Sequence, residues 1–188
     1  AQCSPGTVQP ATKQGSCGQC DAGTFQEDAG KTACVECPGG SFCAQGASAA
    51  LPCLAGTYSN AAGLGSSGQC AECPEGSSCS TGSTEHAPCS PGTVQPDAAQ
   101  DSCDKCDAGT YVGASGETAC VECPGGSFCE LGASAALPCE MGTYSSVEGR
   151  GSSDQCTDCP AGAFCSTGAT EQAQCRPGTV QPDTKQGS

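Results

Sequence analysis

The residues with chemical capacity in this chain are its cysteines, 21 among 188 residues. Taken alone, the stretch Cys17-x2-Cys20-x13-Cys34-x2-Cys37 comes close to the four-cysteine spacing of a structural zinc site. The pattern does not stop there, because Cys43, Cys53 and their equivalents carry it on, and the only histidine is His86. Pairing into disulfides therefore suits these cysteines better than metal ligation, and no metal or other cofactor is assigned. The carboxylates are scattered, with no Asp-x-Asp-x-Asp-Gly loop for calcium. Glu27 and Asp28 are adjacent, but their counterparts in the second half, Gly113 and Ala114, have nothing to ligate with. Diffuse counter-ions are the expectation. For catalysis, His86 becomes Gln172 in the second half, so no Ser-His or Cys-His constellation repeats. We read His86 as a solvated loop histidine, assign no catalytic residue and expect no enzyme. Arg150-Gly151-Ser152 is not an integrin-type tripeptide.

The elements that place the cysteines recur. The stretch from Cys34 to Cys53, CVECPGGSFCAQGASAALPC, returns from Cys120 to Cys139 with changes only at Ala44 and Gln45, which become Glu130 and Leu131. The offset is 86 residues, and Cys3, Cys17, Cys70 and Cys79 obey it in Cys89, Cys103, Cys156 and Cys165. A fixed spacing with drifting residues between is what a stack of small cross-linked units leaves in a sequence. The expected organisation is residues 1–2 as the end of a preceding repeat, 3–88 and 89–174 as two cysteine-rich units, and 175–188 as the start of a third. The two copies agree at 57 of 86 positions. Their differences fall mostly in loops, as at Gln26 to Val112, Leu64 to Arg150 and Gly68 to Asp154, so these positions are expected to be exposed.

Composition leaves little room for an oily interior. There is no Trp, one Met, four Phe and three Tyr, against 28 Gly and 13 Pro. At about 25 cal/mol per Å² of buried apolar surface, that is too little to offset backbone ordering. Disulfides can take over the role, since closing a loop of about 15 residues contributes roughly 3 kcal/mol by chain-entropy reasoning. A cysteine density this high belongs to oxidising compartments outside the cytosol. The formal charge is −14 with six basic residues, so a phosphate backbone finds no basic patch and nucleic acid is not an expected partner. No apolar run is long enough for a membrane span. The opening residues Ala1-Gln2-Cys3 do not read as a signal peptide, so we expect a piece of a longer secreted precursor.

Each 86-residue unit holds two kinds of sub-unit. The first reads Cys-x-x-Gly-Thr-(Val/Phe/Tyr), a polar Gly-rich loop, then Cys-x-x-Cys, as in CDAGTFQEDAGKTACVEC. The second begins Cys-Pro-x-Gly and starts at Cys37, Cys73, Cys123 and Cys159. Glycine before threonine, as at Gly6, Gly23, Gly56, Gly92, Gly109, Gly142 and Gly178, suits a positive φ or a close approach by a disulfide. The residue after threonine (Val8, Phe25, Tyr58, Val94, Tyr111, Tyr144 or Val180) is about enough to cover one disulfide, as are Phe42, Phe128 and Phe164. Ser78 breaks that second pattern. These side chains are read as local packing and not as ligand-stacking groups. No stretch carries helical periodicity. The fold class expected is small disulfide-rich modules in tandem: irregular, short two-stranded hairpins in an elongated rod-like array with almost no helix. Ala47-Ser48-Ala49-Ala50 is the one place where a single helical turn is expected.

Two cysteine pairings fit the spacing. A sequential scheme joins Cys3–Cys17, Cys20–Cys34, Cys37–Cys43, Cys53–Cys70 and Cys73–Cys79, and repeats as Cys89–Cys103, Cys106–Cys120, Cys123–Cys129, Cys139–Cys156 and Cys159–Cys165. An interleaved scheme joins Cys34–Cys43, Cys37–Cys53, Cys70–Cys79 and Cys73–Cys89, leaving Cys17 and Cys20 to close across two residues, an uncommon structural bridge. The sequential scheme is favoured on that ground, while connectivity stays open at the level of sequence. In it the odd cysteine is Cys175, whose partner by the repeat register falls just after Ser188, so truncation of a continuing array accounts for the odd count.

The Cys-x-x-Gly-Thr-Tyr…Cys-x-x-Cys units, alternating with Cys-Pro-x-Gly-x-Phe-Cys…Cys, resemble the ephrin-receptor-like cysteine-rich repeats of many extracellular proteins. Tumour-necrosis-factor-receptor modules and growth-factor-like repeats are similar in style at a greater distance. The resemblance covers essentially the whole chain. It implies secretion, disulfides, a rod-like shape and a role in adhesion, matrix or surface filaments; flagellar hairs, the mastigonemes, are one setting where such repeats fit. Modules of this kind serve in very different proteins.

The expected function is thus structural: a segment of an extracellular filament or surface rod, secreted or at the cell surface, assembling with copies of itself. The alternative is a receptor or adhesion ectodomain binding a protein or glycan ligand. There is no N-glycosylation sequon, since Asn60 precedes Ala61-Ala62. Ser and Thr near Pro, as at Ser90-Pro91 and Thr7-Val8-Gln9-Pro10, point to O-linked glycans or hydroxylated prolines. If sulfur replaces a core, complete thiol reduction without denaturant abolishes the folded state. Amide hydrogen exchange is expected to show loss of protection throughout, and retained protection would contradict this reading.

Overall fold

Glycine, threonine and one apolar residue in a row set the local structure. In a computed structural model, described for residues 2–9, 15–179 and 182–185, the two residues after a cysteine turn back through a left-handed glycine. Gly6, Gly23 and Gly56 sit at φ 79°, 90° and 82°. The following threonine closes that turn twice: Thr24 donates its N–H to Asp21 O at 3.0 Å and its Oγ1 hydroxyl to the same oxygen at 2.8 Å. A two-residue strand then begins, which suits the β-branched and aromatic residues found there.

Each such strand pairs antiparallel with the two residues before the next cysteine of the spine. The first unit contains five hairpins: Thr7–Val8 with Gly18–Gln19, Thr24–Phe25 with Val35–Glu36, Ser41–Phe42 with Leu51–Pro52, Thr57–Tyr58 with Ala71–Glu72, and Ser77–Ser78 with Ala87–Pro88. The sixth to tenth are Thr93–Val94 with Asp104–Lys105, Thr110–Tyr111 with Val121–Glu122, Ser127–Phe128 with Leu137–Pro138, Thr143–Tyr144 with Thr157–Asp158, and Ala163–Phe164 with Ala173–Gln174. Every sheet is two-stranded. Helix among the described residues amounts to two 3-10 turns, Ser67–Gln69 and Ser153–Gln155. In the first of these, Gln69 Oε1 accepts the N–H groups of Gly65 and Ser66 at 2.7 and 3.1 Å.

The helical turn expected at residues 47–50 does not form. Gly46 enters the left-handed region at φ 74°, and Ala47 is drawn into a parallel bridge with Phe25 of the preceding hairpin. The Ala47 carbonyl accepts from Gln26 N–H at 3.2 Å, so it is not available to a helix. Pairing outweighs the helix propensity of alanine here.

Two units emerge from the packing: residues 1–88 with 97–102, and residues 89–96 with 103–188. Within each, the same backbone ladder runs from hairpin to hairpin. The left-handed glycine donates its N–H to the next hairpin, as Gly23 does to Cys43 O and Gly109 to Cys129 O, both at 2.8 Å. In return a loop residue of the following hairpin donates to the carbonyl of the cysteine that opens the one before it. Gly63 donates to Cys37 O and Gly149 to Cys123 O, both at 2.8 Å. The carbonyl of that loop residue rests on the left-handed glycine two hairpins earlier, Gly63 on Gly23 and Gly149 on Gly109. Positive φ and close approach thus both require glycine, and the approaching group is a carbonyl, not the disulfide anticipated from the sequence.

Side-chain burial follows the sulfur. Among the described residues all of the fully buried larger side chains are cysteines, with Val8, Leu64, Val112, Phe128 and Ala163 adding small amounts of carbon. A methyl group at position 109 would overlap the Gly149 oxygen and force a left-handed alanine. Gly109→Ala is therefore expected to cost about 2–4 kcal/mol in the denaturant midpoint of the oxidised protein. Gly68 is exposed, has a φ outside the positive range and would meet nothing within 4 Å. Gly68→Ala is expected to change the unfolding free energy read from the midpoint by less than about 0.5 kcal/mol.

Candidate functional site

The sulfur chemistry comes first because it places everything else. Ten bridges join cysteines in chain order: Cys3–Cys17, Cys20–Cys34, Cys37–Cys43, Cys53–Cys70 and Cys73–Cys79 in the first copy, then Cys89–Cys103, Cys106–Cys120, Cys123–Cys129, Cys139–Cys156 and Cys159–Cys165. Their Cα–Cα distances, from 5.7 Å at Cys3–Cys17 to 6.0 Å at Cys53–Cys70, lie in the ordinary range for disulfides. Cys175 stands outside these ten, half-buried, with its N–H directed to Gly162 O at 3.3 Å.

The four cysteines of the zinc-like spacing are divided among three bridges. Cys17 goes to Cys3, Cys20 to Cys34 and Cys37 to Cys43, which leaves no set of thiolates facing a common point. Among the described residues no three His, Cys, Asp or Glu side chains converge as metal ligands do. Asp28 of the adjacent acidic pair is engaged by Lys31, whose Nζ lies 3.2 Å from Oδ2, with both side chains exposed. Such a pair contributes little to stability. His86 is exposed, but Nδ1 lies 3.1 Å from Ser77 Oγ and its ring meets Tyr58 edge-on at 5.5 Å. Tyr58 belongs to the fourth hairpin and Ser77 to the fifth, so His86 touches both.

One of the aromatic residues expected to cover a disulfide packs against buried sulfur. Tyr144 lies against the cluster of Cys159, Ala163 and Cys165, with Ala169 beside it. Phe128 is buried, whereas Phe42 and Phe164 are half-buried.

Two of the copy-to-copy differences expected to be exposed are buried. Gln26 is 7% exposed and Val112 is 6% exposed. Gln26 is tolerated there because its amide closes its own loop: Nε2 donates to Ala33 O at 2.7 Å and Oε1 accepts Asp28 N–H at 3.0 Å. Val112 fills the same position with carbon and no polar demand. Leu64 is likewise buried, and Arg150 at the matching site is half-buried, its Nε donating to Ser145 Oγ at 3.3 Å. Gly68 and Asp154 are exposed. A side chain that satisfies itself locally looks like an ordinary loop polar residue in sequence, and only the repeat position could have signalled its burial.

A further set of residues escaped sequence reasoning. The residue just before the closing cysteine of a hairpin lies over the loop two hairpins on. A Cβ at Gly63 would stand 3.0 Å from Glu36 Oε1, one at Gly46 3.4 Å from the Gln19 amide, and one at Gly132 3.4 Å from the Lys105 chain. Where the loop residue is Lys185, the covering residue is Asp158, and the two form an ion pair at 3.2 Å. Around it, Glu140, Thr143, Ser153, Asp154 and Cys156 line an open acidic depression.

Within each unit the geometry is therefore a series of disulfide-stapled hairpins. Residues 6–50 match the tyrosine-protein kinase ephrin type A/B receptor-like family. That stretch takes in most of the first three hairpins, and the 86-residue period repeats its cysteine spacing in the second copy. Comparison with curated proteins finds no match. Over the matched stretch the chain is similar to an ephrin-receptor-like cysteine-rich module, a non-catalytic domain type of extracellular proteins. Among the described residues no helix is long and apolar enough to cross a membrane.

Because Gln26 makes two hydrogen bonds from a buried position, Gln26→Ala is expected to destabilise the oxidised protein by about 1–2 kcal/mol. Its denaturant midpoint relative to wild type measures this, and an unchanged midpoint would show that the loop closes without the amide.

Proposed function

We propose that this chain is a structural segment of an extracellular filament or surface rod, secreted or held at the cell surface, that assembles with copies of itself. The observation that carries the reading is the ladder. Gly23, Gly63, Cys37 and Cys43 make backbone contacts that Gly109, Gly149, Cys123 and Cys129 repeat 86 residues later with the same lengths. A unit whose hairpins bond chiefly to the next one or two in sequence propagates its geometry along one dimension. Faces that recur at constant spacing suit regular assembly.

A second reading is favoured by differences between the copies. Leu131 and Met141 are 64% and 63% exposed in the second copy, where the first has Gln45 and Ala55, and Leu54 is 66% exposed in the first copy, where the second has Glu140. Copies that display different apolar side chains fit a receptor or adhesion ectodomain with a protein or glycan ligand. The family matched by residues 6–50 is receptor-like, which supports this reading equally.

The proposal extends to O-linked glycans. Thr7 commits its hydroxyl to Ser4 O at 2.7 Å, as the other Gly-Thr threonines do to their own turns, which leaves exposed loop positions such as Ser90 as the better acceptors.

Small-angle scattering tests the rod. A globule of this length has a radius of gyration of about 16 Å, and the value expected is well above it. A result near 16 Å would reject the filament reading. Electron microscopy of purified protein then separates the two: regular fibres for the first, isolated particles for the second.

A further inference from the structure

The ten bridges fall into two sorts by their access to solvent. Four have a sequence separation of 6, as at Cys37–Cys43 and Cys123–Cys129. Both members of each are buried, at 0 or 1% exposure. The other six have separations of 14 or 17, as at Cys20–Cys34 and Cys53–Cys70. In every one of these the first cysteine is buried and the second reaches the surface. Cys17 is exposed, and Cys34, Cys70, Cys103, Cys120 and Cys156 are half-buried. The division holds through both copies without exception, although the loops around the outer cysteines differ.

We propose that the six long-loop bridges are exchange sites for a small external thiol, and that the four short bridges stay closed while the protein is folded. Access selects which sulfur is attacked. At Cys20–Cys34, an incoming thiolate bonds to the sulfur of Cys34. The Cys20–Cys34 bond breaks, and Cys20 leaves as a thiolate that takes a proton from water. One disulfide is consumed and one mixed disulfide formed, with no net oxidation.

A hairpin opened at one bridge keeps stapled neighbours on either side. In the bridged protein Gly46 N–H bonds Cys20 O at 2.7 Å and Cys37 N–H bonds Gly23 O at 2.9 Å, and the proposal requires these two bonds to outlast the opening of that one bridge. The buried Cys20 thiol therefore remains beside Cys34 and can expel the adduct when external thiol falls. The short bridges offer no such entry, because an attacking thiol must approach within bonding distance of a sulfur with no exposed face. Their opening requires the hairpin stack to come apart.

The acidic surface selects the thiol. With a formal charge of −14, and with Glu140 and Asp154 standing beside the Lys185–Asp158 pair in the depression that Cys156 lines, a cationic aminothiol approaches more readily than an anionic one. The class of reactant is thus a small aminothiol.

The test treats the native, oxidised full chain with excess cysteamine at neutral pH without denaturant. At timed intervals the reaction is acid-quenched, free thiols are alkylated in denaturant at low pH with a maleimide, and bridges and adducts are mapped by peptide mass spectrometry. Cysteamine adducts are expected on Cys17, Cys34, Cys70, Cys103, Cys120 and Cys156, with their buried partners alkylated. The short bridges should open at least about tenfold more slowly until denaturant is added. Glutathione, which carries net negative charge, is expected to react more slowly than cysteamine at low salt, with the gap narrowing as salt is raised. Opening of Cys37–Cys43 or its equivalents at comparable rates, opening of all bridges in one step, or no adduct at any outer cysteine each overturns the proposal.

Discussion

A backbone carbonyl pressed onto an α-carbon that bears no side chain fixes how successive hairpins meet. Where Gly63 O rests on Gly23, and Gly149 O on Gly109, there is room for hydrogen and nothing larger. The disulfides keep both partners where this contact needs them. Cys20–Cys34 closes the hairpin that carries Gly23, and Cys53–Cys70 closes the one that presents Gly63. Each backbone hydrogen bond of the ladder is worth only about 0.5–1.5 kcal/mol net. The bridges make that modest sum sufficient by removing conformational freedom from the unfolded chain. A molecule so arranged has little use for bulky carbon, which explains why the fully buried larger side chains among the described residues are all cysteine.

Much of this was legible in the sequence because the constraints are local. Cysteine spacing marks the hairpin ends, Gly-Thr marks the turn that starts each one, and the next residue supplies a strand and a cover for sulfur. Reasoning failed where a residue's role depends on a partner elsewhere. Nothing local says that Gly46 is left-handed because its carbonyl must reach Gly6, or that Ala47 will pair with Phe25 and so refuse a helical turn. Gln26 and Leu64 read as free loop positions because their counterparts are chemically unlike them, yet the fold buries Gln26 with Val112 and Leu64 alone of its pair. Drift between copies reports tolerance, and tolerance has more sources than exposure.

Function was legible only as a kind. Sulfur density and the glycine pattern identify a module of extracellular type, and the match over residues 6–50 agrees. The zinc-like quartet is spent in three bridges, and Asp28 of the acidic pair is met by Lys31. What is left is surface. Exposed positions such as Val35, Leu51, Val121 and Leu137 recur between the copies, whereas Leu131 and Met141 do not. Recurrence suits a lattice of like neighbours, and singularity suits a dedicated partner.

The cysteine between hairpins serves both at once. Cys20 donates its N–H to Gly6 O at 2.9 Å, takes Gly46 N–H at 2.7 Å, and carries a bridge to Cys34. It ends one hairpin and opens the next, so no spare residue lies between them. A single inserted or deleted residue at such a junction would shift every downstream glycine out of register with the oxygen it must receive. Small changes in length are admissible only in the loops, as the separations of 14 and 17 in otherwise similar hairpins illustrate. A gene for such a protein can grow freely by copying whole units and scarcely at all by degrees.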